Sequence, residues 1–383
     1  MKTTLKKALA VFTAAVIVCM MFGFTAAASD KKELRFNDDG RFTILNICDI
    51  QDRYPLMSIT RDFIKDTLDR VHPDLVILGG DNISGGSNRT KALSKAAINE
   101  FMSIFEKAGV PVVAVFGNHD DENNAADKAY QMECYKSYSC YVGDAGEAGI
   151  SGCGNTNLPI LSSDGTRYAF NIWLTDSGTY NTENDLGGYE AVHEDQIDWY
   201  KRTSAALTAQ NGGVPVPAFN FQHIVVPEVF DVITKDENGK WVLPEGSEGE
   251  VNETPCPPKF THGQFDAFLE TGDVIATVSG HDHVNNYRVN YKGIDIINTP
   301  GMGFRSYNSE VVGSRVFVID ENNPRDYETY CLSYFDIYSH SDAYAQARFD
   351  LNSRVTDDAT KFSAFFRLIA AAILKVFGLS GVC

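Results

Sequence analysis

The amino-acid sequence predicts an α/β fold in which strands alternate with helices along much of the chain. Helical patterns separate the early strands at residues 59–71 and 91–107, and a third pattern covers residues 193–207. The later strands follow one another more closely, which predicts partly antiparallel pairing. The predicted strands are eight apolar runs: FTILNICD (42–49), DLVILGGD (74–81), VVAVFG (112–117), YAFNIWLTD (168–176), PAFNFQH (217–223), DVIATVSG (273–280), DIINT (295–299) and SRVFVID (314–320).

The composition is typical of a soluble globular protein. The chain has 383 residues, of which 44% are hydrophobic and 22% charged, enough for one large domain or two ordinary ones. Its formal net charge is −18 at pH 7, so the body of the protein would not neutralise a run of phosphates or adhere to anionic lipid. We therefore expect no nucleic-acid partner, and we attribute the charge to solubility.

The first 28 residues resemble a secretory signal peptide. MKTTLKK supplies a basic start, an apolar run follows, and Ala26 and Ala28 form the small-residue pattern of a cleavage site. The alternative is an uncleaved membrane anchor, because residues 8–29 are uncharged and nearly long enough to span a bilayer. Cleavage after Ala28 predicts a protein that is secreted or held at the cell surface.

We divide the rest of the chain into a main domain, residues 29–338, and a C-terminal tail, residues 339–383.

Polar residues that can bind metal ions follow five of the predicted strands. In α/β sheets, functional sites form outside the carboxyl ends of the strands. Glycines precede several of these residues and permit tight turns there. In chain order the polar residues are Asp49; Asp81 and Asn82; Asn118, His119 and Asp120; His223; and His281 and His283.

Each of these pieces is weak evidence alone, because a histidine after a strand is commonly a hydrogen-bonded surface residue and GNHD can be an ordinary turn. Five pieces in order, each at a strand end, are more specific. Together they supply carboxylates, an amide oxygen and imidazoles, a mixed set that suits a pair of divalent first-row metal ions. The sequence therefore predicts a site for two metal ions.

Five motifs resemble those of the calcineurin-like metallophosphoesterases, over about residues 41–335. Other stretches, QHIVVPE, GHDHVNNY, GGYE and GMGF, resemble the branch that holds yeast cell-cycle-regulator phosphatases and plant purple-acid-phosphatase-like proteins. That branch implies a four-layer α/β/β/α sandwich of two mixed sheets. Ser84 stands where true purple acid phosphatases have a tyrosine, so no tyrosinate-bound ferric iron is expected. The five motifs are DIQ (49–51), GGDN (79–82), GNHDD (117–121), QH (222–223) and GHDH (280–283).

The resemblance implies a role for each matched residue. Asp81 would bridge two divalent metal ions, and His119 would lie beside them and face the leaving group. The other ligands would divide between the two ions: Asp49, Gln51 and His283 at one, and Asn118, His223 and His281 at the other.

This arrangement implies a hydrolase of phosphomonoesters in which a hydroxide that bridges the metals attacks phosphorus in line. His119 would protonate the leaving oxygen. Asp120 would hold the His119 imidazole in the right tautomer; the alternatives are that Asp121 does so or that both carboxylates are simply solvated. Asn118, His119 and Arg305 would contact the substrate, although for Arg305 a surface salt bridge is the alternative.

Two other functions remain open at this stage. A phosphodiesterase or nucleotidase could use the same residues, because the insertions at residues 121–159 and 235–258 would set substrate choice. A non-catalytic surface protein could use the metals structurally or bind a phosphorylated ligand. His119 argues against the second, because a binding module needs no proton donor beside the metals.

Gln51 occupies a position where the family usually has histidine. Its side-chain oxygen can bind a metal ion but is a poorer donor than imidazole. The resulting site should favour hard ions, so among Mn, Fe, Zn and Mg we favour Mn²⁺. The competing interpretation is a decayed site, which is disfavoured because every other ligand is present.

The cysteines and two histidines outside the motifs are given structural roles rather than catalytic ones. Seven cysteines follow the predicted signal peptide, and a disulfide within the group at residues 134, 140 and 153 would suit an exported chain, with no pair specified. Cys48 is predicted to be a buried free thiol. His193 is predicted to begin a helix, and His262 to lie near the rim of the cleft. The tryptophans and tyrosines are interpreted as packing residues.

The composition changes after Tyr338, where a polar stretch precedes an apolar one. The uninterrupted apolar run at residues 368–374 is too short to span a bilayer. A helix there would either dock on the main domain or lie on the membrane surface. Its apolar side chains share one face, opposite Arg367 and Lys375, and they are Phe362, Phe365, Phe366, Ile369, Ile373, Val376 and Phe377.

Overall fold

The structure, a computed structural model, describes residues 33–122 and 125–376. The predicted signal peptide, residues 1–28, lies outside the described residues.

The first of two large sheets has five strands. They are β1 (Arg41–Ile47), β2 (Leu75–Gly79), β3 (Val112–Val115), β12 (Gly313–Asp320) and β13 (Glu328–Ser333). The spatial order is β13-β12-β1-β2-β3. Strands β1, β2 and β3 are parallel, whereas β12 runs antiparallel to both β1 and β13. This sheet is therefore mixed.

The remaining strands form a second large sheet and a small hairpin. They are β4 (Thr156–Leu161), β5 (Tyr168–Leu174), β6 (Ala218–Phe221), β7 (Thr234–Lys235), β8 (Trp241–Val242), β9 (Val274–Ser279), β10 (Arg288–Tyr291) and β11 (Ile294–Asn298). The second sheet has the order β10-β11-β9-β6-β5-β4, and its strands β5, β6, β9 and β11 are parallel. The two edge strands, β4 and β10, pair antiparallel with their neighbours. The hairpin, β7 with β8, lies outside both sheets.

The helices end where the sequence supplies capping residues. The side chain of Thr90 accepts a hydrogen bond from the backbone of Leu93 at the start of the helix Lys91–Ala108. Gly109 ends that helix with a φ of 67°. The helices in the described part of the chain are α1 (Ser58–Val71), α2 (Lys91–Ala108), α3 (Lys128–Lys136), α4 (Glu194–Gln210), α5 (Gln264–Thr271), α6 (Tyr334–Ile337), α7 (Ala343–Asn352) and α8 (Asp358–Val376), with a 3₁₀ turn at Pro227–Asp231.

Alternation along the strands separates the core into layers. In β1, Ile44 joins a core between the two sheets, where the rings of Phe219 and Phe317 meet at 5.2 Å. The next residue, Leu45, faces the opposite side and joins a core beneath α1 and α2, which includes Phe63. A third core covers the outer face of the second sheet beneath α4 and α5. The four-layer α/β/β/α sandwich of two mixed sheets is confirmed.

All eight predicted strands and all three predicted helices are present, with ends that shift by a few residues. The strands that the sequence did not reveal are edge strands or short ones. Strand β4 is an edge strand that contains Pro159, and β10 and β13 are also edges with polar, partly exposed residues. Edge strands bury less surface, so their apolar pattern is weaker.

The tail forms α7 and α8. Among residues 358–374 of helix α8, whose burial is described, only Ala364 is buried. Arg367 of this helix forms an ion pair of 2.6 Å with Asp350 of α7. The apolar face predicted for this helix points away from that contact. Phe362 is 68% exposed and Phe366 is 52% exposed. No described helix is long and apolar enough to cross a membrane. Phe377 of the predicted face lies outside the described residues.

Six cysteines in the described part of the chain carry free thiols. Cys48 is buried, as predicted. The structure contains no disulfide among Cys134, Cys140 and Cys153, which corrects the expectation of a bridge in that region.

Candidate active site

Five parallel strands bring the predicted ligands to one edge of the sandwich. Strands β1, β2 and β3 are parallel neighbours in the first sheet, and β6 and β9 are parallel neighbours in the second. Each strand is followed within three residues by a predicted ligand. Because the carboxyl ends of these strands meet at the same edge, residues far apart in the chain become neighbours.

Asp81 lies at the centre of this group. Its Oδ1 accepts a hydrogen bond of 2.8 Å from the backbone of His119, and its Oδ2 lies 3.3 Å from Nε2 of His223. Burial opposes charge on both side chains, but their mutual attraction lowers the pKa of Asp81 and raises the pKa of His223 to about 10. His223 is oriented by its Nδ1, which lies 3.0 Å from the carbonyl oxygen of Gly79.

Asp49 connects the other predicted ligands. Its Oδ2 accepts a hydrogen bond of 3.0 Å from the backbone of His281, and its Oδ1 lies 3.3 Å from Nε2 of His283. His283 stacks on the ring of Tyr307 at 4.1 Å, and its Nδ1 lies 3.1 Å from the Tyr307 carbonyl oxygen. Burial and the nearby His223 lower the pKa of His281 to about 3, which leaves a neutral imidazole available to a cation.

The backbone at the ligands has unusual geometry. The φ angles of Asp49, Gln51, Asp81 and His281 are 53°, 41°, 48° and 71°, in the left-handed region that side chains rarely adopt. Such conformations cost free energy and cluster at functional sites. Gly117 shows how tight the site is, because a Cβ there would lie 2.2 Å from Oδ1 of Asp81.

Four buried polar atoms at this site have no aligned hydrogen-bond partner among the described residues: Oδ1 of Asp49, Oε1 of Gln51, Oδ1 of Asn118 and Nε2 of His223. A buried polar atom without a partner costs about 1–3 kcal/mol. All four are atoms that donate electron pairs to cations, and they come from predicted ligands. Asp81 with His223 and His281, and Asp49 with Asp81 and His283, are arranged as metal-binding groups. The donor set therefore fits two divalent ions.

The structure corrects the role expected for Asp120. Its carboxylate is buried and accepts hydrogen bonds from the backbones of Ile83 (3.0 Å) and Gly117 (2.8 Å). It therefore ties two strand-end turns together and does not hold the His119 ring. That ring is 32% exposed, and its Nδ1 lies 2.7 Å from Oε1 of Glu122. Glu122, which the sequence reasoning missed, orients His119.

The comparisons with known proteins decide the family. The calcineurin-like phosphoesterase family matches residues 42–285, well over half of the chain. The chain belongs to that family.

Several phosphoesterase relatives agree with the branch suggested by the motifs. Probable inactive purple acid phosphatase 14 of Arabidopsis thaliana is 30% identical over 321 residues, which cover 76% of this chain and 77% of the relative. Phosphatase DCR2 of Saccharomyces cerevisiae is 24% identical over 283 residues, covering 67% of this chain and 46% of the relative. A dimetal phosphatase from Danio rerio superposes with a TM-score of 0.46 at 17% identity, covering 76% of this chain and 99% of that one. The predicted family and branch are confirmed.

Membership makes this chain a metal-dependent phosphoesterase that acts on phosphorylated substrates, and its two metal-binding groups fit two divalent ions. The cleft of the phosphoesterase has a volume of about 580 Å³. Its walls include His119, Glu122, His281 and His283, so the predicted proton donor and the metal-binding groups share one opening.

Arg305 lies in the wall of this cleft and is also ion-paired. Its Nε donates to a carboxylate oxygen of the buried Asp52. Two further arginines, Arg53 and Arg354, line the same cleft. Arg354 comes from the segment between α7 and α8, and its Nη2 donates to the carbonyl oxygen of Arg305 at 2.8 Å. The tail therefore contributes to the cleft, which its polar sequence did not indicate.

Two tyrosines that were interpreted as packing residues lie beside the ligands. Tyr189 contacts the ring of His281 edge-on at 4.4 Å and lines the cleft. Tyr180 stacks on Tyr189, and its hydroxyl accepts a hydrogen bond of 3.4 Å from Nδ2 of Asn118. The signal available in the sequence was the GGYE stretch, which contains Tyr189.

Proposed function

We propose that this phosphoesterase is exported and cleaves phosphomonoesters with two divalent ions, Mn²⁺ being favoured. The observation that carries the proposal is a set of four buried electron-pair donor atoms beside an accessible histidine. These atoms, on Asp49, Gln51, Asn118 and His223, have no aligned hydrogen-bond partner in the part of the chain that the structure describes. A phosphorylated ligand at the metals would lie next to that histidine. The name of the Arabidopsis relative describes that protein as probable inactive; here a complete donor set and His119 support activity.

Asp81 belongs to both metal-binding groups, so it would contribute to both ions, with His223 and His281 at one and Asp49 and His283 at the other. When bound, two divalent ions supply Lewis-acid activation of the phosphate and of water. The amide oxygen of Gln51 makes the ion at Asp49 and His283 the weaker of the two and favours a hard ion. The Nδ2 of Asn118 donates to the hydroxyl of Tyr180, and its buried Oδ1 has no hydrogen-bond partner among the described residues, so that oxygen is free to bind an ion.

His119 supports turnover rather than binding alone. Its Nδ1 is occupied by Glu122, so its Nε2 is the nitrogen left to transfer a proton to the leaving oxygen. The backbone of His119 donates to Asp81, which keeps the ring at a constant position relative to the metal ligands. The carboxylate of Glu122, 2.7 Å from Nδ1, fixes the orientation of the His119 ring.

The arginines of the cleft support an anionic substrate. Arg53 and Arg354 have no carboxylate partner among residues 33–122 and 125–376, so their guanidinium groups are available to phosphate oxygens. Arg305 is partly neutralised by Asp52 and holds the wall of the cleft. A phosphomonoester carries one more negative charge than a diester near pH 7 and gains more from this environment. A phosphodiesterase or nucleotidase is the alternative.

The test is phosphate release from an aryl phosphate by the purified protein. Chelation should abolish hydrolysis, and added Mn²⁺ should restore it. An aryl phosphodiester measured in parallel separates the two substrate classes. Hydrolysis that survives chelation contradicts a metal mechanism, and two bound ions without hydrolysis of either ester would indicate a binding protein. The matched controls are Asp81→Asn, which should remove activity, and His72→Asn, at the opposite end of the strands, which should retain it.

Export and membrane contact complete the proposal. The basic start, apolar run and Ala26-x-Ala28 pattern support cleavage after Ala28. The exposed apolar side chains of α8 support a helix that lies on the membrane surface. Of its three basic residues, Arg367 pairs with Asp350, whereas Lys361 and Lys375 differ in sign from the acidic body and suit anionic headgroups. N-terminal sequencing of the exported protein should begin at Ser29, and an uncleaved N-terminus contradicts the secreted form.

A further inference from the structure

A second group of potential metal ligands lies outside the strand-end site. Glu183, Glu190 and His193 are arranged so that their ligand atoms lie within 4.8 Å of one another. His262 joins them from a different part of the chain, where its Nε2 lies 3.1 Å from Oε2 of Glu183. The group combines two carboxylates with two imidazoles, which is a zinc-like donor set rather than a purely acidic patch.

The hydrogen bonds distinguish the two nitrogens of His193. Nε2 lies 2.6 Å from Oε1 of Glu190, the distance of a strong hydrogen bond to a carboxylate. A proton on Nε2 leaves the lone pair on Nδ1, which faces Oε1 of Glu183 at 3.3 Å. Glu190 is itself held in place, because its Oε2 accepts a hydrogen bond of 2.9 Å from the backbone of Thr179. A carboxylate behind a histidine is the usual support of a metal-bound imidazole.

The carboxylate of Glu183 lies between the two histidines. Its two oxygens are 3.3 Å from Nδ1 of His193 and 3.1 Å from Nε2 of His262. Two ligand atoms that are each about 2.0–2.2 Å from a zinc ion at a tetrahedral angle lie roughly 3.3–3.5 Å apart. The two separations are close to that range, one at each oxygen of Glu183, and the rings of His193 and His262 stack with their centroids 6.3 Å apart. The side chains are 23–30% exposed, so an ion can enter from solvent.

We propose that Glu183, His193 and His262 bind a Zn²⁺ ion at a site separate from the strand-end centre, with Glu190 as a positioning residue for His193. Zinc accepts this mixture of nitrogen and oxygen ligands and tolerates an open position filled by water. The site does not depend on the proposed hydrolytic function, because none of its ligands belongs to the strand-end group.

An ion at this site would also affect the cleft, because its ligands lie on the segment that carries two cleft tyrosines. Glu183 and His193 lie in one segment, residues 178–193, that also carries Tyr180 and Tyr189. Those tyrosines contact Asn118 and His281 of the centre. His262 lies beyond a long insertion, at the start of α5. An ion that joins His262 to Glu183 and His193 therefore holds the tyrosine-bearing segment against the centre.

The experiment measures Zn²⁺ bound per chain by equilibrium dialysis of the purified protein. We compare the wild type with His193→Ala and His262→Ala. Each variant should bind one ion fewer than the wild type, whatever number the strand-end centre holds. His72→Asn, at the other end of the strands, is the matched control and should bind as the wild type does. Asp81→Asn should lose ions from the centre and keep the additional one.

Glu190→Gln tests the site with a conservative change. It preserves the shape of the side chain and weakens the support of His193, so the affinity for the additional ion should fall roughly 10–100-fold. Zinc should also slow proteolysis within residues 178–193 in the wild type and have no such effect in His193→Ala. Equal zinc content in the wild type and both histidine variants overturns the proposal, as does unchanged affinity in Glu190→Gln.

Discussion

The imidazole of His119 lies 2.7 Å from the carboxylate of Glu122, three residues further along the chain. The neighbouring Asp120 instead turns inward to the backbones of Ile83 and Gly117. The consecutive residues His119 and Asp120 thus face different environments, because the tight turn after Gly117 directs their side chains apart. This division of roles makes their substitutions distinguishable.

His119→Ala should keep both metal ions and lose turnover. Removal of a general acid costs roughly 10²–10⁴ in rate. The loss should be smaller for an aryl phosphate whose phenol is acidic, because that leaving group needs less protonation. Rates on two aryl phosphates, with metal content measured on the same samples, check the prediction. Metal content that falls in step with rate would make His119 a ligand instead.

Glu122→Gln and Asp120→Asn should have different effects, the first on the orientation of the His119 ring and the second on the stability of the fold. Glu122→Gln should lower the rate and leave the melting temperature unchanged, because its carboxylate is partly exposed and acts on His119. Asp120→Asn places an amide against two backbone N–H groups, and one of them loses its acceptor at a cost of about 1–3 kcal/mol. Its melting temperature should fall. Thermal unfolding and initial rates on both variants decide this, and the reverse pattern would contradict the assignment.

Gln51→His should tighten one metal site. Imidazole is a stronger donor than an amide oxygen to most first-row divalent ions, and histidine tolerates the φ of 41° at this position. Activity at limiting Mn²⁺ should rise, and Gln51→Ala should lower it and leave the site partly filled. Calorimetric Mn²⁺ titration of the three proteins is the measurement. Superimposable titrations would show that Gln51 does not bind metal.

The exposed face of α8 should bind lipid vesicles. Phe362→Glu with Phe366→Glu places charge on side chains that are 68% and 52% exposed, so folding should be unaffected while binding is lost. Co-sedimentation with vesicles that contain phosphatidylserine measures this. Val214→Glu changes a 62% exposed residue in the loop after α4 and is the control. Equal sedimentation of the double variant and wild type would favour simple docking of the helix.

Glu106 should contribute stability that depends on pH. Its carboxylate accepts hydrogen bonds from Ser139 and Cys140, which lower its pKa from 4.5 to about 2. Because the pKa is lower in the folded state, the stabilisation is complete above pH 4.5 and disappears as the pH falls toward 2. The melting temperature of Glu106→Gln should lie below that of the wild type near pH 7, and the gap should close in acid.

The surface pair of Glu133 with Lys136 provides the control for that comparison. Glu133 is 69% exposed, so Glu133→Gln should change the melting temperature little at any pH. If the difference in melting temperature between Glu106→Gln and the wild type stays constant down to acid pH, the shape of the Glu106 side chain rather than its charge stabilises the turn.

The strands and the ligands that follow them could be predicted because both are visible as short local patterns in the sequence. An apolar run that is buried on both faces, as in β1 and β2, is visible in the sequence, and so are Asp49 and Asp81 after it. The motif order then indicated which residues would meet at the sheet edge. Edge strands such as β10 carry no comparable signal, because only part of their surface is buried.

Only the tertiary structure decided which groups support the ligands. Glu122 rather than Asp120 orients His119, and Arg354 enters the cleft from the tail. His262 reaches Glu183 across 79 residues of chain. Strand periodicity and strand-end motifs depend on nearest neighbours in the sequence, so the sequence by itself determined the strands and the candidate ligands, and the family resemblance of its motifs implied the sandwich. Contacts between turns depend on how two sheets pack and where each turn directs its side chains, and no local pattern specifies that.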